Sequence, residues 1–541
     1  MAAVTRVNGP LVEVDGLGEA AMFEVVDISG IPGEIVSLSG GHATVQAYEY
    51  TGGIVPGANV TALGEPLSAR LGPHLLGGIF DGLLRPLDGA GMWLDPVAGR
   101  TRDDRTWHFR PLLDAGSPIA AGTPIGTVDG SGAVAYLVLA PGGTVTTIRP
   151  EGDYPADTPV ATVGDRDVTM VWHWPVRRAL PYRERLDDKV PLITGQRVID
   201  LLLPLRRGGT VAVPGGFGTG KTVLLQQIAK WCDADVVVYI GCGERGNEMA
   251  DVVAELAELT DPRTGGRLLE RTVVIANTSN MPMMAREASV YTGVTVAEHF
   301  RDMGYDTVVI ADSTSRWAEA RREFASRSGA LPAEEGYPAD LASAIAAFYE
   351  RAGLVTTLGG GTGSVTIIGA VSPPGGDLTE PVTTHTQRFV RALWSLDREL
   401  AYARHYPAVS WTGSFSRDGD ALAAWHTRNG RRDWAPLRAR VAGLLAEADR
   451  LSALAELVGT ATFPAHERVV LLADRLLREG LLQQSALSAV DAYCAPERTA
   501  ALAGLILDTV DDCLQLTEQG LPAAEIETRD FSHILRAKET P

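Results

Sequence analysis

The sequence predicts a multidomain α/β chain. It should carry an N-terminal β-barrel, an inserted β module, a nucleotide-binding α/β core with a mostly parallel sheet, and a C-terminal α-helical domain. Three observations predict this. Residues 1–70 run as short strands broken by Gly and Pro turns. From about residue 190, β-branched runs alternate with helix-length segments around the glycine-rich stretch GGFGTGKT. From about residue 420, Leu, Ala, Arg and Glu dominate. With 541 residues, about three or four domains are expected.

Taken in order, TRVNG, PLVEVDG, GEIVSLSGG and HATVQAYEY space their strands as a small barrel does. Residues 71–109 are expected to begin the nucleotide-binding domain. Residues 110–185 repeat the β style in AGSPIAAGTPIGTV, AYLVLAPGGTVTTI and TPVATVG, and read as an insertion. Residues 186–420 then carry GGTVAVPG, VVVYIG, RTVVIAN, DTVVIAD and SVTIIGAV. Continuous apolar runs of that length suit strands buried on both faces of a parallel sheet. Residues 421–541, with RARVAGLLAEADRLSALAELVG and ERVVLLADRLLREGLLQQSAL, read as helices.

The stretch GGFGTGKT fits the pattern G-x-x-x-x-G-K-[ST] of a phosphate-binding loop. The chemistry explains the residues. Gly215, Gly218 and Gly220 let the backbone turn tightly, so that several N–H groups face one phosphate. The helix KTVLLQQIAKW adds the positive end of its dipole. Lys221 brings a point charge to the β- and γ-phosphates, and the Thr222 hydroxyl can ligate Mg²⁺. A Gly-rich turn with an exposed Lys is the bland alternative. The position between a predicted strand and a predicted helix speaks against it.

Two carboxylates follow. Asp312 closes DTVVIAD, where a magnesium partner is expected, although an Asp there equally caps the helix that begins in STSRW. With the loop present, the magnesium role is the stronger reading. Glu244 follows VVVYIG at a strand's carboxyl end, where ligands of open α/β sheets bind. A carboxylate there can orient a water for attack. Arg245 beside it can contact the γ-phosphate or hold Glu244. Position alone also allows Glu244 to be a solvated loop carboxylate.

The formal net charge of -19 argues against a nucleic-acid partner, which demands clustered Lys and Arg. Cys232, Cys242, Cys494 and Cys513 form no C-x-x-C pair, so free thiols in a reducing compartment and no zinc site are expected. The N-terminus lacks the apolar stretch of a signal peptide, and no apolar run is long enough to span a bilayer.

VPGGFGTGKT, YIGCGERGNEM, NTSNMPMMAREASVYTGVTVAEHFRDMGYDTVVIADSTSRWAEA, EEGYPADLASAIAAFYERAG and SVTIIGAVSPPGGDLTEPVTTHT resemble the catalytic A subunit of V-type and archaeal-type (V/A) rotary ATPases. The resemblance runs almost end to end and includes the insert. It implies an enzyme that hydrolyses or makes ATP, with ATP/ADP as substrate and Mg²⁺ as cofactor. It implies that Glu244 polarises the attacking water, with Arg245 on the γ-phosphate and Lys221 as the phosphate lysine. Nucleotide contacts are implied for Gly215, Gly216, Phe217, Gly218, Thr219, Gly220, Lys221, Thr222 and Val223. Magnesium is implied at Thr222 and, through water, at Asp312.

The resemblance also implies partners. Three A subunits would alternate with three B subunits around a central stalk, with a peripheral stalk and a membrane sector beyond. The B subunit would supply an arginine finger in trans, worth roughly 10³–10⁵ in rate. The location would be the cytoplasmic face of the cell membrane, with H⁺ or Na⁺ as the coupled ion. RLSALAELVG is a candidate stalk contact, or an ordinary amphipathic helix end.

Some positions depart from the family pattern. Gly216 stands for Pro and loosens the start of the loop. Thr219 stands for Ser, or for a redox-sensitive Cys in eukaryotic relatives, so no redox control is expected. Tyr406 matches an aromatic that stacks on adenine, with core packing as the alternative. Leu487 stands where Phe is usual and loses aromatic geometry against the base. Arg417 occupies an expected apolar position, where the family's non-catalytic partners carry their finger; it would suit a homohexamer, or is an ordinary surface charge. Two other readings stand beside the leading one: a homohexameric export-type ATPase, and a non-catalytic nucleotide-binding ring subunit. The insert speaks against the first, and intact Lys221, Thr222, Glu244 and Asp312 speak against the second.

Overall fold

Alternation of apolar and polar residues closes the N-terminal strands into a barrel. The computed structural model describes residues 2–89, 105–130, 132–261 and 263–540. The barrel order is Ala2–Asn8, Leu11–Asp15, His42–Ala47, Ile31–Ser39, Glu24–Ile28 and Asn59–Pro66, all antiparallel. Its inward positions, among them Val12, Val14, Val26, Ile28, Ile35 and Val45, form one buried cluster. This matches the predicted barrel. The expected segment 71–109 includes residues 90–104, which lie outside the described residues.

The chain divides into two compact units. The first comprises Met1–Asp187, Ala234–Val371 and Thr379–Phe389. Besides the barrel it holds the inserted module as two four-stranded sheets. One runs Tyr136–Ala140, Thr123–Asp129, Thr106–Pro111, Gly152–Pro155. The other runs Pro118–Ile119, Gly143–Ile148, Ala161–Val163, Arg166–Val168. Phe109, Ile125, Val138 and Val145 are buried within the module.

The same unit contains four of the five predicted strands of the parallel core. Thr362–Val371, Asp306–Asp312, Val236–Cys242, Thr272–Asn277 and Ile79–Phe80 lie side by side in that order, each pair parallel. Every residue of Val236–Cys242 and Thr272–Asn277 is buried. Helices on both faces demand such continuous apolar strands. The 20-residue helix Met283–Asp302 is buried almost all round. That explains its low amphipathicity: a helix enclosed on every side needs no polar stripe.

The second unit comprises Asp188–Asp233, Ser372–Leu378 and Val390–Pro541. Strand Thr210–Pro214 pairs in parallel with Ala392–Leu393, which pairs antiparallel with Phe415–Ser416. Helix Lys221–Trp231 follows the strand through the glycine loop. The predicted helical domain is present as Gly419–Arg428, Trp434–Val458, Ala465–Leu477 and Pro496–Glu518, with short helices after them. No helix among the described residues is long and apolar enough to cross a membrane.

Candidate active site

The second unit holds the phosphate loop and a cavity beside it. Helix Lys221–Trp231 starts at Gly220, which has φ +80° and makes no side-chain cap. The N–H groups of a helix's first turn, with the positive end of its dipole, favour an anion. Gly220 has a second constraint: a Cβ there would lie 3.0 Å from Tyr406 Cε1. At Gly215 a Cβ would meet Thr219 Oγ1 at 2.8 Å and Leu396 Cβ at 2.9 Å. Thr219 is buried and donates to the Gly216 carbonyl at 2.8 Å, which closes the turn from within. Lys221 donates to Ser372 Oγ. Thr222 and Val223 are exposed on the first turn, and Phe217 stands 96% exposed at the tip.

A cavity of about 960 Å³ opens next to the loop. It is lined by Gly218, Gly220, Val223, Tyr406, Gln484 and Leu487, among others. That volume suits a small-molecule ligand. Tyr406 is 41% exposed and Leu487 99% exposed. Neither is a core residue, so both offer apolar surface to a ligand. Arg417 is exposed, with its guanidinium 5.6 Å from the Phe415 ring centroid.

The first unit brings together Glu244, Arg245 and Asp312. Parallel pairing puts Gly241 in register with Asp312, so Glu244 emerges three residues beyond, at the carboxyl ends of two adjacent strands. The turn is held from the next strand: Gly243 N–H donates to the Asn277 carbonyl at 2.7 Å, and Ser279 N–H to the Glu244 carbonyl at 2.9 Å. Glu244 is half-buried. Arg245 is exposed, and its Nη1 lies 3.9 Å from Glu248 Oε1. Helix Gly246–Glu258 also begins without a side-chain cap.

Asp312 is 3% exposed. The Tyr239 hydroxyl on the neighbouring strand donates to its Oδ2 at a long 3.4 Å. Burial, and next the Asp312 charge, push the Tyr239 hydroxyl well above its ordinary value, which keeps it a donor. The N-cap of helix Thr314–Ser328 is Ser313, with no side-chain cap bond.

Arg316 joins these residues, although the sequence does not single it out. A Cβ at Gly243 would lie 2.8 Å from Arg316 Cβ, so this arginine abuts the Glu244 turn. Its pKa is raised, first by the Glu319 hydrogen bond and also by the Glu244 charge. The one available signal was its spacing, four residues after Asp312 on a predicted helix.

Comparison with known proteins decides the family. Residues 4–64 match the ATP synthase alpha/beta family β-barrel domain, and residues 100–177 the ATP synthase alpha/beta subunit barrel-sandwich domain. Residues 195–416 match the ATP synthase alpha/beta family nucleotide-binding domain, and residues 423–523 the C-terminal domain of V and A type ATP synthase. The V-type ATP synthase alpha chain of Thermoanaerobacter sp. (strain X514) is 47% identical over 99% of this chain and 94% of its own length. The V-type ATP synthase alpha chain of Nitrosococcus oceani is 48% identical over 97% and 92%. The corresponding chain of the A-type ATP synthase of Thermococcus kodakarensis is 47% identical over 97% and 93%.

The chain belongs to the V/A-type ATP synthase catalytic subunit family.

As a V/A-type ATP synthase subunit it is an enzyme of ATP synthesis and hydrolysis, acts on ATP and ADP, and works within a multisubunit complex. This reading prevails over the export-type and non-catalytic alternatives. The assembled ATPase EscN of the enteropathogenic E. coli type III secretion system matches with TM-score 0.68 at 21% identity, covering 94% of this chain and 100% of that one. At that identity the likeness is one of fold alone.

Proposed function

We propose that this subunit turns over ATP with Glu244 as the residue that orients and polarises the attacking water. The observation that carries the reading is the glycine loop itself: left-handed Gly220 leads directly into helix Lys221–Trp231, with Lys221 and Thr222 in its first turn. Amides and ammonium together favour the triphosphate. Arg245 contacts the γ-phosphate, and Arg316, which adjoins the Glu244 turn, holds that carboxylate in place. The run Gly215–Val223 cradles the phosphates, and Tyr406 and Leu487 receive the base.

Thr222 and Asp312 fit Mg²⁺ by donor chemistry. A hydroxyl and a buried carboxylate are hard oxygen donors, and Mg²⁺ takes few protein ligands beside substrate phosphates and water. When bound, Mg²⁺ neutralises charge that develops on the phosphate oxygens. Asp312 would hold it through water.

This chain takes alternate places in a ring with a B subunit that supplies an arginine finger. It pushes a central stalk, is held by a peripheral stalk, and couples to H⁺ or Na⁺ movement at the cytoplasmic membrane face. The partition into residues 1–70, 71–109, 110–185, 186–420 and 421–541 belongs to the same proposal.

Glu244→Gln tests the chemistry. It keeps the shape and removes the charge, so Mg-ATP binding is expected to persist while turnover falls by at least about 10²-fold. Retained turnover removes Glu244 from the mechanism.

A further inference from the structure

The C-terminal stretch builds part of the cavity beside the loop. Lys538 and Glu539 line it together with Arg404, Gln483 and Leu487. The Lys538 ammonium donates to the carbonyls of Glu479 at 2.6 Å and Gln483 at 3.1 Å. Gln483 is where the helical turn Arg478–Leu482 ends and the segment carrying Leu487 begins. The stretch itself is tied down by Arg498. Its Nη2 donates to the carbonyls of Lys538 at 2.6 Å and Thr540 at 2.5 Å, and its Nη1 to Val490 at 2.9 Å.

The Gln483 carbonyl is shared by two cations. Fully buried Arg197 donates to it through Nη2 at 2.8 Å, and holds Asp491 through Nη1 at 2.6 Å. Arg197 is therefore a fixed anchor for the loop 483–491, whereas Lys538 arrives from a short peripheral segment. Burial pushes the Lys538 ammonium below its ordinary value. Part of its hydration is replaced by carbonyl partners. The next residue links the clamp to the ligand side: Gln484 N–H donates to the Tyr406 carbonyl at 2.8 Å. A continuous path thus runs from Lys538 through Gln483 and Gln484 to Tyr406.

We propose that Lys538 is a positioning residue of the base cavity. By clamping the Gln483 carbonyl it fixes the 483–488 wall and, through Gln484, the Tyr406 ring. The C-terminal stretch thereby sets affinity for the base of the nucleotide and leaves the grip on its phosphates unchanged. This rests on the reading of the cavity as the base site.

The test compares Lys538→Met, Lys538→Arg, a chain ending at Arg536, and Tyr406→Ala. Calorimetry on the full chain measures ADP and inorganic tripolyphosphate binding with Mg²⁺ present, and the assembled complex gives KM and kcat for ATP. Lys538→Met and the shortened chain should bind ADP about fivefold more weakly, from the loss of one charged clamp acting indirectly. Tripolyphosphate affinity should hold, KM should rise with kcat kept, and Lys538→Arg should restore ADP binding. If Tyr406→Ala weakens ADP binding and Lys538→Met and the shortened chain do not, the Lys538 role falls and the cavity reading stands. If Tyr406→Ala leaves ADP binding unchanged, the cavity reading falls and takes the Lys538 role with it. Equal losses of ADP and tripolyphosphate mean general loosening and overturn the proposal.

Discussion

At Gly220, backbone conformation and ligand chemistry meet in one residue. Its φ of +80° starts the helix, and a Cβ would press Tyr406 Cε1 at 3.0 Å. Gly220→Ala should therefore cost about 1–2 kcal/mol of stability from the left-handed backbone alone, and nucleotide affinity should fall with it. Gly216 behaves oppositely. No positive φ is needed there, and a Cβ would meet only Arg398 Nη2 at 3.4 Å and Gly376 Cα at 3.8 Å. Gly216→Ala should stabilise by about 0.4–1 kcal/mol by restricting the unfolded chain. Thermal unfolding of the two variants checks the pair. Equal shifts would mean that neither glycine is kept for its backbone. The spacing of these glycines was legible in the sequence because the loop is local. Arg316 offered only its spacing from Asp312, and Lys538 offered no signal. Their contacts, to the Glu244 turn and to the Gln483 carbonyl, join residues far apart in the chain, and no local pattern records them.

Among the elements, the five strand runs read from the sequence are all present, because β-branched runs bounded by turns have few other solutions in an α/β chain. What the runs did not reveal is the interior of helix Met283–Asp302. His299 sits there buried, with ring centroids 5.6 Å from Tyr136, 5.9 Å from Trp172 and 5.3 Å from Phe300. Neither of its ring nitrogens has a hydrogen-bond partner among the described residues. Burial, reinforced by His74, depresses its pKa to about 3. The sign follows. Unfolded, the ring takes a proton near its ordinary value; folded, it resists one until about pH 3. Between those values the unfolded state binds more protons, so stability falls as pH falls, by up to about 1.4 kcal/mol per pH unit. His299→Phe keeps the ring, removes the unmet polar atoms and removes this slope. The variant should be more stable at neutral pH by about 1–3 kcal/mol, with a gap that widens on acidification toward pH 4. Denaturant midpoints at pH 7 and pH 5 decide it, and a constant gap would show that His299 does not carry the acid sensitivity.

For the whole molecule, charge and the distribution of site residues bear on how the protein works. The formal net charge of -19 means that identical copies repel one another, which disfavours a ring made of this chain alone. Arg417, the arginine that would suit a homohexamer, is exposed with its guanidinium over Phe415. In the proposed reading Lys221 and Arg245 serve the chain's own phosphate chemistry and Arg316 holds Glu244, so a charge that stabilises the transition state in trans would come from a different polypeptide. The purified chain should therefore hydrolyse Mg-ATP slowly by itself. Mixing with its B-type partner should raise the rate by roughly 10³–10⁵, the worth of an arginine finger. Steady-state hydrolysis against partner concentration checks this, and saturation at one partner per chain fits an alternating ring. Full activity from the chain alone would place the finger within it, with Arg417→Ala as the decisive variant: loss of rate there would replace the two-subunit site with a self-complementing one.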